Sequence, residues 1–221
     1  MKSLYIPNKT RTFELVAVGL TAIGKFVFMD FLQWRLPYIA TAIIFWGCYI
    51  IYQYKKNPGI TRYWGFRMDN FLTVVRSILP FGLTALAIFI CIGLYQDTIN
   101  ITWHIIPILI LYPIWGIIQQ FLLIALTAGN LQDFKNLKLP KSLIIFFAAI
   151  LFGLIHYPFA WLIVSTFILG IFYGVIYLKQ RNIYALGIFH GWLGGLFFYT
   201  VVNRDPFIET FGSLLNISNR G

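Results

Sequence analysis

Apolar residues fall in long unbroken runs along this chain, and polar residues are confined to the short breaks between them. A soluble helix or strand would instead alternate its apolar and polar positions. A hydrocarbon layer about 30 Å thick is crossed by ~20 residues of helix. The runs therefore predict seven spans, at about Phe13–Met29, Tyr38–Tyr54, Leu79–Tyr95, Thr102–Ala128, Ser142–His156, Phe159–Leu178 and Ile183–Val202. Met68 to Ile78 reads as a short amphipathic segment lying on the cytoplasmic surface. The fold class is an all-α membrane protein, a polytopic bundle of about seven transmembrane helices. The expected organisation is one structural domain, with a hairpin and basic loop over 1–59, a core over 60–202 and a polar tail over 203–221. No internal repeat or low-complexity tract is evident.

Composition agrees with a membrane protein: 59% of residues are hydrophobic and 11% charged, and the mean hydropathy is +0.78. The formal charge of +10 would suit a nucleic-acid binder if it were clustered, but it lies in short loops between apolar runs, and no nucleic-acid partner is expected. The lysines and arginines of 1–12, 55–76, 135–141 and 179–181 fall on one side of a seven-span chain, leaving Arg35, Arg204 and Arg220 on the other and Lys25 within a span. The positive-inside rule then places the N-terminus inside and the C-terminus outside. Cys48 and Cys91 stand alone in separate runs, which gives neither a disulfide framework nor a thiolate metal site. The first residues lack a small-residue cleavage site, so no removed signal peptide is expected, and the closing SNRG is not a lipidation signal.

Four polar side chains interrupt the apolar runs where a bilayer makes unpaired polar groups costly: Gln119 and Gln120 in the fourth span, His156 at the end of the fifth and His190 in the seventh. Three helices bringing them together would form one intramembrane site; the plainer alternative for the glutamines is hydrogen bonding between helices. At 1.5 Å per residue, Gln120 and His190 lie about 10–12 Å from the inner ends of their helices and His156 about 20 Å. Convergence thus requires a tilt, a kink (Pro107 and Pro113 would supply one) or a different helix boundary. His104 near the outer boundary reads as structural, and Gly170, Gly174, Gly187, Gly191, Gly194 and Gly195 as points of close helix approach.

The order of these features resembles the CPBP family, which includes the type 2 CAAX prenyl endopeptidases and bacterial immunity-type membrane proteases. That family carries EExxxR, FxxxH and HxxxN or HxxxD. The matching positions here are Gln119-Gln120 with Ile124, Phe152 with His156, and His190 with Gly194. FILGIFYGVIYLKQRNIYALGIFH resembles the family's link between its second and third motifs, and RYWGFRMDNF its juxtamembrane lead-in; the resemblance spans about residues 60–202. It implies an intramembrane endopeptidase acting on membrane-embedded or prenylated peptides in a bacterial cytoplasmic membrane, with lipids as its other partners. It also implies catalytic roles for Gln119, Gln120, His156 and His190, and substrate contacts at Phe152 and Gly194.

Three departures change what the resemblance implies. The family's second glutamate is held to activate the attacking water, and a carboxylate is needed whether it serves as general base or as metal ligand. An amide can orient a water but cannot take its proton. Ile124 replaces the motif's guanidinium, and Gly194 lacks the last motif's amide. Loss of a base costs ~10²–10⁴-fold and loss of an oxyanion donor a further ~10²–10³-fold, so catalysis is expected to be weakened or lost. Two histidines without a carboxylate also fall short of the usual three-ligand zinc site, so no bound metal is expected. The competing function is an inactive membrane protein that uses the same cavity to bind a peptide, lipid or partner. Glu14 and Asp30 are the acidic residues from which a substitute base would have to come. A transporter finds no repeat pair or broken-helix pair to support it.

Overall fold

The computed structural model describes residues 6–135 and 137–215; Lys2, Arg220 and the closing SNRG lie outside the described residues. The chain forms α1 (Asn8–Phe31), α2 (Arg35–Lys56), the short α3 (Gly59–Trp64), α4 (Phe71–Gln96), α5 (Ile105–Asp133), α6 (Lys141–Leu154), α7 (Ala160–Gln180), α8 (Ile183–Val202) and the short α9 (Pro206–Phe211). No strand occurs among the described residues. Six helices, α1, α2, α4, α5, α7 and α8, are long and apolar enough to cross a membrane. The protein is an all-helical, multi-pass membrane bundle. The expected fifth span is the 14-residue α6, about 21 Å long at 1.5 Å per residue and short of the hydrocarbon thickness.

The segment expected on the surface belongs instead to a span. From Phe71 the chain runs into α4 without a break, and Val74 and Ile78 are fully buried in the main core. Arg76 is the one charge between Asn70 and Asp97, so nothing in the sequence holds that stretch at an interface. The expected polar tail likewise begins with structure. Asp205 caps α9 by accepting from the backbone N–H of Phe207 (3.0 Å) and Ile208 (3.3 Å). Pro206 stands at the first helical position, and Phe207 packs against Ile108 and Tyr199.

The most extensive helix contact is between α5 and α8, followed by the α6–α7 hairpin. Glycine permits the first of these. A Cβ on Gly187 would run into the backbone of Ile117, and one on Gly191 into the backbone of Tyr112 and Pro113. Beside this seam lies an aromatic core in which the Trp64 and Phe121 ring centroids are 5.0 Å apart and those of Trp46 and Phe121 6.0 Å. Polar groups fix α1. Glu14 accepts from Tyr49 on α2 (2.6 Å) and Asn130 on α5 (2.6 Å), and Arg11 donates to Asn130 (2.9 Å) and to Tyr63 on α3 (2.8 Å). Three helices contain wider π-helical stretches: Lys25–Phe31 in α1, Phe121–Gly129 in α5 and Phe198–Val202 in α8.

Candidate functional site

The glycine seam brings Gln119 to His190. The imidazole Nε2 lies 2.8 Å from the Gln119 Oε1, across two helices and 71 residues of sequence. With the amide oxygen as acceptor, that nitrogen carries the proton and Nδ1 is left as an acceptor, an assignment made from the hydrogen-bond network. His156 lies in the turn after α6, with Nδ1 2.8 Å from the carbonyl of Phe152, which leaves its Nε2 as acceptor. The buried Phe152 ring touches both imidazoles, at centroid distances of 5.4 Å to His156 and 5.2 Å to His190.

Gln119, His156, His190 and Gly194 all face one cavity of about 190 Å³. Between Gln119 and His156 the mismatch in depth is removed by α5, which runs on to Asp133 and so sets Gln119 about 21 Å from that end. Gln120 does not join them. It is fully buried outside the cavity lining, and neither atom of its amide has a hydrogen-bond partner. Ile124 is fully buried in the apolar core. Gly194 departs from the close-approach expectation: a Cβ there would meet nothing within 4 Å, because this glycine faces the cavity rather than a helix. Gly170, Gly174, Gly187, Gly191 and Gly195 do sit against neighbouring atoms.

The structure also separates the two acidic candidates. Glu14 is enclosed by Tyr49 and Asn130 and lies outside the lining. Asp30 lines the cavity, where Lys25 Nζ pairs with it at 2.7 Å and also donates to the Tyr157 carbonyl at 3.2 Å. Arg35, Arg204 and Thr166 also line it, as do Thr21, Thr210 and the tyrosines Tyr38 and Tyr112. Sequence reasoning placed Arg35 and Arg204 in loops and did not see Thr166. A charge just outside an apolar run is ambiguous by pattern, and only the fold turns these arginines toward the cavity.

Comparison with known proteins is limited to one family. The family model described as Type II CAAX prenyl endopeptidase Rce1-like matches residues 101–195, from the start of α5 into α8. Over this stretch, somewhat under half of the chain, the sequence is similar to that family. No curated protein and no solved structure matches the chain. The matched stretch contains all the positions that the sequence resemblance singled out, and within it Gln119 contacts His190 and Phe152 contacts His156.

Metal is one of the two chemistries attributed to the CPBP family, and the residues present do not fit it. Among the described residues no three His, Cys, Asp or Glu side chains gather where one ion would be held. His190 already spends Nε2 on Gln119, and Asp30, the acidic residue of the lining, is paired with Lys25. That donor set falls short of three protein ligands.

Proposed function

We propose that this CPBP-family membrane protein binds membrane-embedded peptides, prenylated ones included, in the cavity of Gln119, His156 and His190, with peptide-bond hydrolysis weakened or lost. The observation that carries the reading is the contact between His190 Nε2 and the Gln119 amide at 2.8 Å. In the family pattern a carboxylate occupies that sequence position. A neutral amide beside the imidazole orients it but supplies no base and no charge to balance a developing imidazolium. What is left is a small pocket with polar groups and apolar walls from Leu122, Leu123 and Phe159, of a size to take an apolar side chain of a bound peptide. Bacterial cytoplasmic membrane is the location this reading implies.

Cleavage of a fluorogenic prenylated peptide by purified protein in detergent, beside His190→Ala, tests the proposal. The expected result is no cleavage by either protein. Cleavage by the wild type that is lost in His190→Ala would overturn the proposal, and Asp30→Asn would then be the first variant to examine. Gln119→Glu with Gly194→Asn is expected to recover measurable turnover, because Gln119 faces the cavity and the cavity has room for the asparagine.

A further inference from the structure

The cavity lies toward one end of the bundle. Its lining comes from the end of α1 (Lys25, Asp30), the start of α2 (Arg35), the turn after α6 (His156) and the chain after α8 (Arg204). No described residue of the loops at the opposite end, 55–70, 134–140 and 181–182, lines the cavity. Those loops and the helix ends beside them are the basic ones. They hold Lys55, Lys56, Arg62, Arg67, Lys135 and Lys138, among others, while the loops at the cavity end hold Arg35 and Arg204. Short loops rich in lysine and arginine stay on the cytoplasmic side of a membrane.

The mouth has a chemistry of its own. Lys25, Arg35 and Arg204 face two carboxylates, Asp30 and Glu209. Arg204 gives Nη2 to Glu209 at 2.7 Å, and its Nε also reaches that carboxylate. Its guanidinium lies over the Phe159 ring (4.3 Å to the centroid), part of the cavity wall. Its buried Nη1 has no partner. A buried guanidinium N–H without an acceptor favours an incoming anion.

We infer that the cavity is entered from the non-cytoplasmic face and that its ligand is a membrane-embedded peptide exposed on that face, carrying an acidic group that Arg204 receives. This rests on the peptide-binding reading above, narrows it to peptides without a cytoplasmic prenyl anchor, and adds the side of approach and the charge of the ligand.

Two measurements test it. In a Cys48→Ala, Cys91→Ala background expressed in a bacterial inner membrane, Tyr157→Cys marks the exposed mouth and Lys138→Cys the basic loop. A membrane-impermeant maleimide is expected to label Tyr157→Cys in spheroplasts, and Lys138→Cys in inverted vesicles alone. The reverse pattern would overturn the inference and turn the cavity toward the cytoplasm, where prenylated tails reside. The second measurement uses protein in nanodiscs and a fluorescent apolar peptide amide carrying one glutamate, beside the same peptide with glutamine. Wild type is expected to bind the glutamate form at least ~10-fold more tightly, a difference of about 1.4 kcal/mol. Arg204→Gln should abolish the preference and Arg204→Lys retain part of it. Equal affinity of wild type for the two peptides would overturn the role of Arg204. Binding of neither would overturn the peptide-binding reading itself, while the labelling pattern would still report the side of the cavity.

Discussion

Gln119 and Gln120 are adjacent in sequence and identical in chemistry, yet their surroundings differ completely. Gln119 joins α5 to α8 through His190, whereas Gln120 carries a buried amide with neither atom paired. An unsatisfied buried polar group costs about 1–3 kcal/mol, and an apolar replacement of similar shape removes that cost. Gln120→Met is therefore expected to leave thermal stability in detergent unchanged or raised. Gln119→Leu should lower it by about 0.6–2 kcal/mol, the range for a hydrogen bond between membrane helices. Equal losses in the two variants would show that Gln120 has a partner after all. The glutamine pair was legible in the sequence as a polar interruption of an apolar run. Which member faces the cavity was not, because adjacent helical residues point about 100° apart and the sequence does not fix the rotation of the helix.

The seam between α5 and α8 positions the site at the scale of whole helices. Gly187 and Gly191 leave no room for a Cβ, while Gly194, three residues further along the same helix, faces open space. Gly191→Leu is expected to push the helices apart, at a cost of about 1–3 kcal/mol or more, and to lower the yield of monodisperse protein in size-exclusion chromatography. Gly194→Asn should purify like the wild type. The spacing of these glycines marked the helix as a packing helix, but it could not single out Gly194 as the one that opens on a cavity. The short α6 makes a similar point. The apolar run after Lys141 was evident, but that the helix stops at Leu154 and leaves His156 in a turn that lines the cavity was not.

The two ends of the whole molecule are tied in different ways. At the basic end, Arg11, Glu14, Tyr63 and Asn130 link α1, α3 and α5. At the cavity end, Asp205 joins the segment before α5 to the segment after α8, accepting from Thr102 (3.2 Å) and Tyr199 (2.9 Å) and lying 2.5 Å from His104 Nδ1. Burial pushes the Asp205 carboxyl up, but hydrogen bonds from His104, Tyr199 and the backbone N–H of Ile208 outweigh it and hold the group below its ordinary value. A carboxyl depressed in the folded state contributes stability that is complete above its unfolded value of about 3.9 and is lost as pH falls through the folded value. Melting temperature should accordingly fall as pH drops below about 4, and Asp205→Asn should be less stable at pH 7 with a smaller loss on acidification. An unchanged acid limb in the variant would exclude Asp205 as a source of it.

The sequence by itself determined that this is a helical membrane protein, where most of its spans lie, which family its core resembles and which polar residues sit within its apolar runs. Those properties follow from hydropathy, the length of helix needed to cross a bilayer and the order of short motifs, all of which are local along the chain. The tertiary structure alone decided that Gln119 rather than Gln120 meets His190, that Glu14 is taken up by Asn130 and Tyr49 while Asp30 reaches the cavity, and that Arg204 stands at its mouth. These facts depend on helix rotation, depth and crossing. In an apolar run with no amphipathic stripe, they are set by where glycine lets two helices touch and where buried polar groups find each other.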